Sequence, residues 1–128
     1  MAVAKAEALV SQAVRLPNGI TLLVQQLAET DAASLGVAAQ RLQERLGDPA
    51  AVVLGSAADD KVSIVAAFSP AVVKAGASAG SLVGPLAKLC GGGGGGKPAF
   101  AQAGGRDATK LGEAMAKARE QLEALLNK

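Results

Sequence analysis

The residues with the clearest chemical potential are six consecutive glycines, Gly91 to Gly96, followed directly by Lys97. Because glycine has no side chain, the run lets a ligand approach the backbone N–H groups directly, and it permits positive φ angles. Lys88 precedes the run, and Arg106 and Lys110 follow a second glycine pair. This combination is typical of an anion-accepting surface, and a flexible linker flanked by ordinary solvated lysines is the alternative.

The glycine run also matches two nucleotide-binding motifs, and both matches fail on context. Gly91 to Lys97 fits the start of a phosphate loop, G-x-x-x-x-G-K, but Pro98 follows where a serine or threonine would hold magnesium. The run comes after a predicted helix and before an extended segment, the reverse of the strand–loop–helix order that directs a helix N-terminus at phosphate. The same context excludes a dinucleotide fingerprint. We therefore expect no nucleotide hydrolysis.

The composition excludes most catalytic chemistry. The chain has no histidine, and its single cysteine is Cys90, so imidazole catalysis, Cys/His metal clusters and an internal disulfide are impossible within one copy. We expect no catalytic residue, no metal and no cofactor. Cys90 itself is expected to be a small buried hydrophobic residue, in keeping with a reducing compartment.

The charge is unevenly distributed along the chain. The net charge is only +2, but residues 61–110 contain six basic residues against one acidic residue, whereas residues 1–60 contain four against seven. A basic segment of this kind indicates a polyanionic partner.

The pattern of apolar and turn-forming residues predicts most of the secondary structure. The predicted elements are a helix over residues 4–15, a strand from Ile20 to Leu27, a helix from Ala32 to Leu46 between Asp31 as N-cap and Gly47 as stop, strands Ala51–Ser56 and Val62–Phe68 joined by a polar corner over residues 58–61, a brief helix from Pro70, a helix from Ser78 or Ser81 to Cys90, an extended piece from Pro98 to Ala103, and a helix from Asp107 to the end.

These elements predict a single α/β (α+β) domain with a small mixed sheet of about four strands flanked by helices. The early strand–helix–strand unit implies a parallel crossover, and the short connection after it implies an antiparallel hairpin. Only 2% of the 128 residues are aromatic and 50% are hydrophobic, so the core must consist of Ala, Val and Leu. The glycines at 76, 80 and 84 suggest close packing of a helix on the sheet. Residues 1–16 would be the end of a helical linker and residues 17–128 the globular domain.

The stretch from Cys90 to Gly105 carries a resemblance to a known family. Its sequence, C-G-G-G-G-G-G-K-P-A-F-A-Q-A-G-G, is followed by Arg106-Asp107 and a predicted helix. It resembles the glycine-rich signature near the C-terminus of alanyl-tRNA synthetases, which is related to the accessory domain of Asp-His-His phosphoesterases. The likeness covers nearly the whole chain. In those phosphoesterases a histidine of the glycine loop contacts substrate, and Lys97 stands at the matching basic position here, so phosphodiester cleavage is not implied.

The resemblance implies a non-catalytic fragment of an alanine–tRNA ligase that binds tRNA at its outer corner, the elbow where the D- and T-loops meet, and links aminoacylation with editing. The implied partners are tRNA, alanine-specific in the parent enzyme, and the rest of the synthetase in cis. Since the chain has no Trp or Tyr, recognition should depend on shape and backbone charge, with Phe100 in the core rather than stacked on a base. The candidate nucleic-acid-binding residues are Lys88, Gly91, Gly92, Gly93, Gly94, Gly95, Gly96, Lys97, Gln102, Gly104, Gly105, Arg106 and Lys110.

Two other functions fit the sequence. The apolar stripe over residues 4–15 would suit a dimerisation module, and a homodimer is a possible assembly. A freestanding binder of DNA or another RNA could use the same basic surface. The longest apolar stretch, Pro70 to Cys90, is interrupted by Lys74, Pro85 and Lys88 and is too short for a membrane span, and Lys5 and Glu7 argue against a signal peptide. We expect a cytoplasmic protein without membrane contact, with a chloroplast or mitochondrion as the alternative.

Overall fold

The computed structural model describes residues 13–15, 19–28, 32–47, 49–58 and 61–126. Its elements in chain order are β1 (Val14–Arg15), β2 (Thr21–Ala28), α1 (Ala32–Leu46), β3 (Ala50–Ala58), β4 (Lys61–Phe68), α2 (Pro70–Lys74), α3 (Ala79–Leu89), β5 (Gly93–Gly96), β6 (Phe100–Gly105) and α4 (Leu111–Leu126). A short 3₁₀ helix, Ala108–Lys110, precedes α4. The predicted helices from Ala32, from Pro70, up to Cys90 and near the C-terminus are confirmed.

The strands form one mixed sheet in the order β1-β2-β3-β4-β6-β5. β2 and β3 are parallel, with α1 as the crossover between them. β3 and β4 form an antiparallel hairpin, and β6 pairs antiparallel with both β4 and β5. The predicted α+β class, the parallel crossover and the hairpin are therefore confirmed.

The sheet has six strands rather than the predicted four or so, because two segments differ from expectation. Val14 and Arg15, the last residues of the predicted helix over 4–15, form β1 and pair with β2. Gly93–Gly96, predicted as a loop, form the edge strand β5. A glycine run has little preference for any regular structure, so its pairing with β6 decides its conformation.

Several other predictions fall outside the described residues. These are residues 4–12 of the helix predicted over 4–15 together with the dimerisation assigned to it, Asp31 as N-cap, and the aspartates of the polar corner at 59 and 60. Ala13 is described and is not helical.

Side chains alternate across the sheet and supply a hydrophobic core on each face. On one face, Leu35 and Leu42 of α1 pack with Leu23 and Leu54. On the other face, α3 and α4 cover a larger core of small and branched residues, which includes Ile64, Phe68, Val83, Leu86, Ala114 and Leu122. The predicted core of Ala, Val and Leu is confirmed. No helix in the described part of the chain is long and apolar enough to cross a membrane.

Two glycines of α1 have different roles. Gly47 follows the helix with φ +86° and donates its N–H to the Gln43 carbonyl at 3.1 Å, so it ends the helix as predicted. Gly36 lies inside the helix, where glycine is less favourable than alanine by about 1 kcal/mol. Helix propensity therefore does not explain why a glycine stands at this position. Gly36 is also buried.

Ser69 joins the end of β4 to the start of β3. Its N–H donates to the Ala50 carbonyl at 2.9 Å, and its fully buried Oγ accepts the Ala50 N–H at 2.8 Å. We expect Ser69→Ala to lower the free energy of unfolding by about 1–3 kcal/mol, because the buried Ala50 N–H loses its acceptor. Urea denaturation measures the loss, with the exposed Ser81 replaced by alanine as control. Equal losses in the two variants would contradict this role of Ser69.

Candidate nucleic-acid interface

The glycine run begins at the C-terminus of α3. Gly91, with φ +76°, donates its N–H to the Lys88 carbonyl at 3.0 Å, and Gly92 donates to the Ala87 carbonyl at 2.8 Å. These two bonds form a Schellman motif, which places a left-handed residue directly after the helix cap. Gly91 is the one member of the run that uses the positive φ permitted by glycine. The other five glycines of the run have no positive φ angle, although the sequence of six glycines permits one.

A two-residue turn, Pro98-Ala99, connects β5 to β6. The Lys97 N–H donates to the Phe100 carbonyl at 2.9 Å and closes this turn. The Pro98 carbonyl accepts the N–H of Ala79, the first residue of α3, at 2.9 Å. The turn is thereby fixed to the start of the helix that packs on the hairpin.

Cys90 fixes the other end of the hairpin. Its carbonyl accepts the N–H groups of Arg106 and Asp107 at 2.8 and 2.9 Å. Burial, and to a lesser extent the Asp107 carboxylate, raise the pKa of the Cys90 thiol above its ordinary value, so the side chain stays neutral in the core. The expectation that Cys90 is a small buried hydrophobic residue is confirmed. Among the described residues there is no cluster of three or more His, Cys, Asp or Glu that could hold a metal ion.

Every second glycine of the run is required by its contact with β6. A Cβ atom built on these residues would lie 1.9 Å from the Gly104 carbonyl oxygen at Gly92, 2.4 Å from the Ala103 Cα at Gly94, and 2.8 Å from the Ala101 Cα at Gly96. The neighbouring atoms belong to backbone and have little freedom to move. A Cβ at Gly105 would likewise lie 2.5 Å from the Cys90 carbonyl oxygen.

The helix α3 packs directly on β5. A Cβ at Gly80 would lie 2.6 Å from the Gly96 carbonyl oxygen, and one at Gly84 would lie 3.7 Å from the Gly94 carbonyl oxygen. The predicted close packing is therefore confirmed for Gly80, whereas a Cβ at Gly84 would make only an ordinary van der Waals contact. The prediction is wrong for Gly76, which precedes the helix with φ +108° and has no neighbour within 4 Å of a Cβ.

Gly93 and Gly95 face the opposite way, and a Cβ on either would have nothing within 4 Å. They pair with Gly104 and Gln102 of β6, respectively. Because partners in a sheet project to the same side, these four residues form one surface, which we term the open glycine face. The whole of β5 is exposed to solvent.

Gln102 of this face reaches towards α1. A Cβ at Gly36 would lie 2.6 Å from Gln102 Nε2 and 3.4 Å from Phe100 Cζ. Phe100 is half-buried and packs against the core under α1, in agreement with the predicted core position. Sequence reasoning missed Gly36, although a glycine within an apolar helical pattern was a signal.

The predicted basic residues surround the hairpin. Lys88 lies in the last turn of α3 and Arg106 follows β6, next to the Cys90 anchor. Lys97 is at the turn, roughly 15 Å away along an extended strand. Lys88, Lys97 and Arg106 are exposed. Lys110 ends the 3₁₀ helix, and its ammonium group lies 4.0 Å from the Glu113 carboxylate, so its charge is partly neutralised.

Residues 19–124 match the DHHA1 domain. The chain belongs to the DHHA1 domain family. The solved C-Ala domain of Aquifex aeolicus alanyl-tRNA synthetase is similar to this DHHA1 domain with a TM-score of 0.74 and 25% identity, over 91% of this chain and 98% of that one. A DHH-domain member of the s1p family of ribosomal proteins shares the fold, with a TM-score of 0.56 and 21% identity over 94% of this chain and 30% of that one.

Curated relatives of this DHHA1 domain are alanine–tRNA ligases. The Synechococcus elongatus ligase is 54% identical over 127 residues, which make up 98% of this chain and 14% of the relative. The chloroplastic/mitochondrial ligase of Arabidopsis thaliana is 60% identical over 109 residues, 84% of this chain and 11% of the relative. The chain thus spans about one-seventh or less of the length of these curated relatives. The predicted resemblance to the glycine-rich domain of alanyl-tRNA synthetases is confirmed.

Proposed function

We propose that this DHHA1 domain binds tRNA through the open glycine face, as the C-terminal domain of an alanine–tRNA ligase. The observation that carries the proposal is that Gly93 and Gly95 are glycines at positions with room for a side chain. Glycine weakens a strand, so stability alone favours a larger residue at both positions. A bare backbone there suits the close approach of a rigid ligand.

The charge distribution supports a nucleic acid as that ligand. Exposed cations stand at both ends of the hairpin, Lys88 and Arg106 at one end and Lys97 at the other. The chain has no Trp or Tyr, and Phe100 packs against the core under α1. Recognition in this proposal therefore depends on shape and on contacts to phosphates, which supply affinity without reading sequence. The target we propose is the outer corner of tRNA.

In the parent enzyme, this contact would hold one tRNA for both aminoacylation and editing. The domain itself would contribute binding and no catalytic group, cofactor or metal, and its partner in cis would be the rest of the synthetase. The site of action would be the compartment of that enzyme. Relatives named chloroplastic/mitochondrial make an organelle the alternative to the cytoplasm.

Replacement of Lys97 by glutamate tests the proposal. We expect about tenfold weaker binding of tRNA, because a contact to phosphate is lost and a repulsion is added. The slope of log affinity against log salt concentration should become shallower by about one unit. Arg41→Glu changes an exposed residue of α1 by the same charge and serves as control.

A comparison of two RNA ligands tests separately whether the domain binds the outer corner of tRNA. An acceptor-stem microhelix, which lacks both the D-loop and the T-loop, should bind more weakly than intact tRNA. Equal effects of Lys97→Glu and Arg41→Glu would refute the proposed surface, and equal affinity for the microhelix and the full tRNA would refute the proposed target.

A further inference from the structure

Gly36 leaves the space in which the end of the Gln102 side chain lies. It is a buried glycine in the second turn of α1, at a position where helix propensity favours alanine. A Cβ there would lie 2.6 Å from Gln102 Nε2, closer than non-bonded atoms approach. Alanine at this position would therefore force the carboxamide away from α1.

Gln102 is exposed to solvent although the end of its side chain packs against a buried residue. Within the open glycine face its neighbours Gly93, Gly95 and Gly104 have no side chains. Of the four residues of that face, Gln102 is therefore the only one with a side chain, which ends in a carboxamide. It combines an N–H₂ donor with a carbonyl acceptor, the pair of groups that recognises the edge of a nucleotide base.

We infer that Gln102 hydrogen-bonds the edge of an exposed RNA base and that Gly36 is the residue that positions it. This inference rests on the proposed function. The glycines allow a planar base to lie against the backbone, and unstacked bases in loops expose the edges that side chains read in RNA. Cations at the ends of the hairpin contact phosphates without directional preference for a base, so Gln102 supplies the orientation of the bound RNA.

The test combines single and double substitutions, with affinity for intact tRNA measured beside thermal stability. Gln102→Ala should weaken binding about fivefold, the effect of one neutral hydrogen bond, and leave the salt slope unchanged because no charge is removed. Gly36→Ala should weaken binding by a similar factor while the melting temperature stays equal or rises, because the flexible amide end of Gln102 can move aside. In the Gln102→Ala background, Gly36→Ala should have no further effect on affinity.

Other results would overturn the inference. Additive losses in the double variant would show that Gly36 acts independently of Gln102. A large drop in melting temperature for Gly36→Ala would make Gly36 a packing glycine like Gly80. Gln102→Asn keeps the amide but shortens the side chain, so it should lose affinity as Gln102→Ala does, and wild-type binding by both would refute the base contact. If Lys97→Glu weakens binding and the Gln102 variants do not, this inference alone fails. If none of them weakens binding, the proposed function fails as well.

Discussion

Replacement of Gly94 by valine should destabilise the domain severely, whereas the same replacement at the adjacent Gly95 should not. A Cβ at Gly94 would lie 2.4 Å from the Ala103 Cα and 2.7 Å from the Gln102 carbonyl oxygen. Both atoms are backbone of β6, so relief requires that β5 separate from β6. We expect the free energy of unfolding to fall by at least about 3 kcal/mol, the range of severe overpacking in a core.

Gly95→Val is the matched control, because it makes the same chemical change one residue further along the strand. A Cβ at Gly95 has no neighbour within 4 Å, and valine has a higher strand propensity than glycine. Its midpoint of urea denaturation should equal or exceed that of the wild type. If both variants lost the same stability, the alternation of packed and open glycines along β5 would be wrong.

Periodicity along the chain encoded much of the fold. Apolar residues recur on one face of α1 and of α4, and both helices form where that pattern predicts them. The short connection between two β-branched runs similarly predicted the β3–β4 hairpin. These features could be predicted because each depends on residues that are close together in the sequence.

The conformation of the glycine run could not be predicted in this way. Six identical residues have no pattern, so the sequence does not reveal that Gly91 ends a helix, that Gly94 packs on β6 or that Gly95 is open. Those differences arise from the register between β5 and β6, which is a tertiary property. The proximity of Gly36 to Gln102 is also tertiary, since the two residues are far apart in the chain.

The candidate site, too, could be predicted only in part from the sequence. The sequence predicted the glycine run and its flanking cations to form an anion-accepting surface, with a flexible linker as the alternative, and the structure brings Lys88 and Arg106 to one end of the hairpin. It pairs Lys110 with Glu113, an interaction that a three-residue separation on a helix permits. Which of these cations contacts a nucleic acid stays a prediction.

Replacement of Gly93 and Gly95 together by valine should leave the fold intact and reduce the affinity for tRNA roughly 100-fold. Both positions have room for a side chain, so circular dichroism and the melting temperature should match those of the wild type. The valines would hold the RNA away from the backbone, and a steric cost of about 1–3 kcal/mol for each gives the expected loss.

The size and the salt dependence of this loss of affinity distinguish a steric effect on RNA contact from the loss of a positive charge. Gly93→Ala/Gly95→Ala should lose less affinity than the valine pair, since a methyl group displaces the ligand less. Neither pair removes a cation, so the salt slope should equal that of the wild type, in contrast to Lys97→Glu. Ala116→Val, which adds apolar volume at an exposed site on α4, should bind normally. A folded valine pair with wild-type affinity would mean that Lys88, Lys97 and Arg106 carry the binding and that β5 is only the scaffold that separates them.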